Sequence, residues 1–267
     1  MFGKSWKRAR RRVGVRRSLG VIALAAALGG VTPPVSAQTD PAVLAIIDQV
    51  DRLLRGESSR AAVQMEIETE HWSRSLELNV WSLGTDYSLI RVESPARESG
   101  TATLKVDQEV WNYLPRVDRT IKVPPSMMMG SWMGSHFTND DLVKESRIIE
   151  DYDISIAFQG DRDGQEVWEF LMIPKPEAPV IWGRIEQQIR KQDRMPLWAR
   201  YYDEDGTLVR TMTFSEFREF GDRLVPSVMT IEPSDEEERT VVTYHDLAFD
   251  IDLEEDFFSL RRLRARP

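Results

Sequence analysis

Two hydrophobic periods divide the chain. Between Pro41 and Arg55, Ala42, Leu44, Ile46, Ile47, Val50, Leu53 and Leu54 recur at helical spacing. Asp40 can cap this run, Pro41 suits its first turn and Gly56 stops it, so one N-terminal helix is predicted. After Gly56 the period falls to two. Ala61, Val63, Met65 and Ile67 alternate with Gln64, Glu66 and Glu68; Leu76, Leu78 and Val80 with Glu77 and Asn79; Ala102, Leu104 and Val106 with Thr103 and Lys105. A hairpin is read from Glu109 to Leu114 and Arg119 to Val123. Further runs are Ile154, Ile156 and Phe158, then Trp168, Phe170 and Met172, and stretches near 180–190, 197–203, 208–217, 223–232 and 239–248. Turn signals separate them at Gly84, Asp107-Gln108, 160–164, 203–206 and Gly221-Asp222.

Such alternation belongs to antiparallel strands with one dry face and one wet face. About a dozen of them, joined mostly by short turns, make a mainly β (α+β) domain: one large curved sheet or unclosed barrel. The N-terminal helix and a short second helix, Asn139 to Ser146, are available to cover its concave side. A sandwich of two mutually filled sheets fits the strand pattern equally well.

One stretch fits neither period. In Met127 to Met133, five of seven residues are Met or Trp, and four of the ten methionines of the chain lie there. Pro124-Pro125 precede the run, Gly130 and Gly134 punctuate it, and Asn139-Asp140-Asp141 follow as helix-capping residues. As packing, the stretch would plug one end of the sheet. Methionine is unbranched and polarizable, however, and several together form a surface that repacks around ligands of differing shape. Core plugs are better built from Leu and Ile, which have fewer rotamers to freeze. Met127, Met128, Met129, Trp132, Met133 and Phe137 are therefore the candidate ligand-contacting residues.

The leader changes the charge balance. Eight basic residues between Lys4 and Arg17, the apolar run Leu19 to Val31 and the small-residue site Val35-Ser36-Ala37 are read as a signal peptide, 1–37, cut after Ala37. Arg16-Arg17-Ser18-Leu19 leaves both the general secretory and the twin-arginine routes open. The whole chain is −9 and the leader +8, so residues 38–267, read as a single domain, carry −17. That charge argues against nucleic acid and against general adhesion to anionic lipid heads. There is no Cys, hence neither a disulfide scaffold nor an acylated N-terminal cysteine.

Catalytic constellations are missing from the sequence. His71, His136 and His245 have no metal-ligand spacing, and no G-x-S-x-G, phosphate loop or catalytic Cys occurs. No metal or cofactor is expected, and a lipid hydrolase lacks a nucleophile–base pair. Asp235 to Glu238 read as a solvated hairpin tip, and Arg261 to Arg266 as a frayed, solvated tail.

Several blocks nevertheless form a recognisable set. They are Asp51-Arg52-Leu53-Leu54-Arg55-Gly56, Trp111 to Pro115, Arg119 to Met128, Ser131 to Ser135, Phe137 to Leu142, Met195-Pro196-Leu197 and Tyr202 to Gly206 with Arg210-Thr211-Met212. Together they resemble the periplasmic outer membrane lipoprotein-sorting protein family, similar to LolA and LolB, over almost all of residues 40–260. The resemblance implies an unclosed antiparallel barrel, covered by helices, whose apolar cavity holds acyl chains. It implies a non-enzymatic, monomeric periplasmic carrier of a lipid or lipoprotein. An inner-membrane transporter and an outer-membrane acceptor would be its partners. A periplasmic accessory subunit of a lipid-exporting transporter is the alternative.

Overall fold

Residues 39–144 and 148–265 are described in a computed structural model of the chain. The signal-peptide reading therefore lies outside the described residues. The predicted helix forms as α1 (Pro41–Arg55), with the Asp40 carboxylate accepting from the Ala42 N–H at 2.8 Å and Pro41 in the first turn. Its stripe of Val43, Ile47 and Val50 is buried.

Thirteen antiparallel strands then form one sheet: β1 (Ser58–Glu68), β2 (Ser73–Leu83), β3 (Tyr87–Ser94), β4 (Ala102–Val106), β5 (Glu109–Leu114), β6 (Arg119–Lys122), β7 (Tyr152–Arg162), β8 (Gln165–Pro174), β9 (Arg184–Arg190), β10 (Pro196–Tyr202), β11 (Leu208–Phe220), β12 (Arg223–Pro233) and β13 (Arg239–Phe249). Their order is β6-β5-β4-β3-β2-β1-β13-β12-β11-β10-β9-β8-β7. The chain thus starts in the middle and steps out to one edge at β6. It crosses to the opposite edge at β7 and steps back until β13 pairs with β1, from Ser59 opposite Phe249 to Glu68 opposite Arg239. The sheet does not close, because β6 and β7 remain edges. Side chains far apart in this order nonetheless share one core: Val92 of β3 joins Phe170 and Met172 of β8, so the sheet curls around its apolar face. The sandwich alternative is excluded.

One strand escaped the period-two reading. In β3, Leu89, Arg91 and Val92 are all buried. Leu89 belongs to a second core on the opposite face, with Leu104, Tyr113, Phe258 and Leu263, while Ile90 and Val92 face the first. A strand covered on both sides has no wet face, so its sequence does not alternate.

The second core also corrects the reading of the C-terminus as a frayed tail. A 3-10 turn (Glu255–Phe257) and the short helix α4 (Leu260–Leu263; α2 and α3 are given below) lay Phe257, Phe258 and Leu263 on the convex face. Leu263 is fully buried. The buried Arg91 donates to the carbonyls of Arg262 and Leu263 at 2.6 and 3.4 Å, satisfying orphan acceptors of the helix end. The apolar residues interleaved with the arginines decide the outcome.

Candidate functional site

The passage from β6 to β7 crosses the open side of the sheet, and the Met/Trp stretch lies within it. A 3-10 turn (Pro125–Met127) begins the passage, and the short helices α2 (Asp141–Lys144) and α3 (Ile148–Asp151) end it. Residues 124–141, called the strap below, fold back on themselves. Ser131 and Thr138 form an antiparallel bridge, the Trp132 N–H donates to the Phe137 carbonyl at 2.7 Å, and the Asn139 N–H donates to the Gly130 carbonyl at 3.0 Å. The Asn139 amide also donates to the carbonyls of Met127 and Gly130, at 3.1 Å each. Gly130 suits a close approach: a Cβ there would lie 3.1 Å from the Met127 oxygen, so a larger residue would push that carbonyl back by a few tenths of an ångström. At the tip, Met133 and Gly134 have φ of 56° and 76°, a left-handed conformation that glycine adopts without cost and methionine only rarely.

α2 is capped by Thr138 rather than Asn139. The Thr138 N–H donates to the Asp141 carboxylate at 2.7 Å and the Asp141 N–H donates to the Thr138 hydroxyl at 3.1 Å, a reciprocal capping box.

The candidate side chains divide into two groups. Met127 and Met129 are 58% and 55% exposed, and Met128 packs beside Val110 and Val123 at the β5–β6 edge. Trp132 and Phe137 are 5% and 9% exposed and enter the main core, where Met133 packs against them. In this arrangement the strap and α1 together fill the concave face. A cavity of about 20 Å³ remains between Asp140, Asp141, Tyr152, Trp182, Tyr201 and Met212, enough for about one water.

Polar side chains from both halves of the sheet hold the strap down. From the first half, Arg74 on β2 donates to the Met133 carbonyl at 2.9 Å and pairs with Glu98. The Trp132 indole N–H donates to the buried Thr103 hydroxyl on β4 at 3.0 Å, and Thr103 donates to Asn112. From the second half, the buried Arg210 on β11 donates to Asp141 through two bonds of 2.6 and 2.7 Å and to the His136 carbonyl at 3.0 Å. Its guanidinium lies over Trp182 and Tyr201, 4.6 and 4.4 Å from the ring centroids. The His136 ring meets the Thr240 hydroxyl at 2.8 Å and Glu238 at 3.1 Å.

Glu238 is therefore not the solvated tip residue expected of it. The backbone N–H of Glu70 and the His136 ring hold its carboxyl below the usual range. Burial, reinforced by Asp140, Asp151 and Asp141, pushes the Tyr152 phenol far above its ordinary value, so it stays neutral beside the small cavity. None of Arg74, Thr103, Arg210, Glu238 and Thr240 was read as a site residue from the sequence. The one available signal was Arg210, a cation on the inward-facing parity of a strand.

Among the described residues no cluster of His, Asp and Glu could hold a metal ion. The arrangement covers an apolar face with a segment held by polar side chains.

The comparisons agree with this architecture. An outer membrane lipoprotein-sorting protein domain from Vibrio parahaemolyticus is 24% identical, with a TM-score of 0.74 over 83% of this chain and 98% of that one. A DUF1329 family protein from Desulfovibrio piger is 24% identical, with a TM-score of 0.76 over 84% and 100%. A LolA superfamily protein from Nitrosomonas europaea is 18% identical, with a TM-score of 0.70 over 82% and 98%. No curated protein matches the sequence significantly. A family model described as "Uncharacterized protein" matches residues 84–265, more than half of the chain. The chain belongs to the family of that model, and its fold is that of the LolA-like outer membrane lipoprotein-sorting proteins.

Proposed function

We propose that this protein is a non-enzymatic periplasmic carrier that shelters the acyl chains of a lipid or lipoprotein beneath the strap during transfer between the inner and outer membranes. The observation that carries the reading is the pairing of a covered apolar face with a cover tied down by polar side chains. Trp132 and Phe137 occupy the face that an acyl chain would take, and bonds to Arg74, Thr103, Arg210 and Glu238 hold them there. The basic, apolar leader supports export to the periplasm.

The energetics suit a transient holder. A sixteen-carbon chain buried at ~0.8 kcal/mol per CH₂ gives a gross gain of ~13 kcal/mol, too tight for hand-over. An acyl chain that displaces the strap forgoes the burial of Trp132 and Phe137, of order 1.5–3 kcal/mol each, and the buried Arg210–Asp141 pair as well. The net affinity is the difference, and reclosure of the strap drives release.

Mass spectrometry of the protein purified gently from periplasm tests this reading. Copurified acyl lipid, displaced by a fluorescent fatty acid, is the expected result. Protein free of lipid that also fails to bind the fatty acid would exclude the carrier.

A further inference from the structure

Ten large apolar side chains are exposed among the described residues, and five of them crowd into positions 114–129: Leu114, Val117, Ile121, Met127 and Met129. They line the β5–β6 hairpin, which ends the sheet at one edge, and the turn that leaves it. A sixth, Leu260, lies on α4, and Arg264 just beyond it donates to Thr120 of β6 at 2.9 Å, so the C-terminal segment reaches the same edge.

Positive charge accompanies these residues. Arg116, Arg119 and Arg261 are exposed, and no carboxylate pairs with them among the described residues. The acidic groups nearby are engaged: Asp118 accepts from the Tyr113 hydroxyl at 3.0 Å, and Glu109 pairs with Lys122. Cations elsewhere on this acidic surface more commonly face a carboxylate, as in Arg52–Asp48, Arg162–Glu169 and Arg239–Glu68.

We infer that this edge docks on an anionic phospholipid surface. Leu114, Val117, Ile121, Met127 and Met129 enter the boundary between headgroups and acyl chains, and Arg116, Arg119 and Arg261 bind lipid phosphates. Aliphatic side chains interspersed with arginines are the composition of interfacial segments, whose cations reach the phosphates while their stems stay apolar. The −17 of residues 38–267 does not forbid this. At physiological salt, charge effects fade over about 8 Å, so the acidic remainder is screened while the docked edge is not.

A bilayer fits better than a protein partner. A protein interface needs roughly 800 Å² of complementary surface on each side and pockets for its anchoring residues. The exposed aliphatics here sit on a hairpin and a turn, and line none of the grooves around Glu232, Glu166 or Trp182. The inference goes beyond the carrier reading and does not depend on any cargo.

Co-flotation of residues 38–267 with vesicles of phosphatidylglycerol and phosphatidylethanolamine, against vesicles of phosphatidylcholine, tests it at about 0.15 M salt. Saturable binding to the anionic vesicles is expected, at least about tenfold tighter than to the neutral ones. The double variants Val117→Ser/Ile121→Ser and Arg116→Glu/Arg119→Glu should each weaken anionic binding about tenfold. All four positions are exposed, so the melting temperature should hold; Met127→Ser/Met129→Ser serves if either variant misfolds. Wild-type protein that stays in solution, or double variants that bind like wild type, would overturn the inference. So would capture of a membrane protein through these same residues with no binding to vesicles, which would make the edge a protein-docking site.

Discussion

The sheet carries two covers, one on each face, and they are fastened by different chemistry. The C-terminal segment lies on the convex face chiefly through aromatic and aliphatic packing, with hydrogen bonds from Arg91 and to Thr120 beside it. Trp81 and Phe257 rings are 5.8 Å apart, Tyr87 and Phe258 are 5.5 Å apart, and Leu263 is sealed beneath. The strap lies on the concave face and also buries two aromatics, but its middle and its C-terminal end are tied by hydrogen bonds and ion pairs to residues from both halves of the sheet. Directed polar ties are individually exchangeable, and the face below them is apolar. On the proposed carrier function, the packed segment is the permanent cover and the strap the releasable one.

Truncation in the permanent cover should have the largest effect. Phe258→Ala is expected to cost about 4 kcal/mol of stability, seen as a large fall in the denaturant midpoint, with fatty-acid affinity per folded molecule unchanged. Arg210→Ala leaves the Asp141 carboxylate buried without its guanidinium and should cost about 3 kcal/mol. Unlike Phe258→Ala, it should also tighten binding of a fluorescent fatty acid severalfold, because the closed strap competes less well. Tighter binding in Phe258→Ala and not in Arg210→Ala would reverse the assignment of the two covers.

Smaller effects resolve the strap itself. Changing Met127, Met128 and Met129 together to Ser should cost at most about 1–2 kcal/mol, nearly all of it from Met128, since the other two are exposed. If these residues touch acyl chains at the mouth, fatty-acid affinity falls about tenfold, or ~1.4 kcal/mol. Unaltered affinity would confine contact to Trp132 and Phe137.

The smallest expected effect concerns acid. The Glu238 carboxyl is depressed in the native state, so its contribution is present above its unfolded value of about 4.3 and is lost as pH falls through the native value. A melting-temperature difference between wild type and Glu238→Gln at neutral pH should therefore shrink and vanish on acidification. A difference that persists in acid would remove Glu238 from the fastening.

Much of the fold is legible because most strands have one wet face. Met65, Ile67 and Leu76 announce themselves through polar neighbours on either side. β3 is not legible, since its outer face is dry only because residues more than 160 positions later fold onto it. The strap was legible as an anomaly of composition. Its division into exposed methionines and a buried Trp132–Phe137 pair was not, because side-chain direction there depends on the Ser131–Thr138 bridge and on Asn139.

By itself the sequence determined the helix with its Asp40 cap, the antiparallel strands, their inward-facing residues and the place where the pattern breaks. All of these follow from local propensity and from which side of an element meets water. Tertiary structure alone decided that Arg210, His136 and Glu238 converge on one segment, that Arg91 caps a helix end 171 positions away, and that an arginine-rich end is a packed cover. Such contacts join residues far apart along the chain, and they exist only once β1 has paired with β13 and curled the two halves of the sheet around a common core.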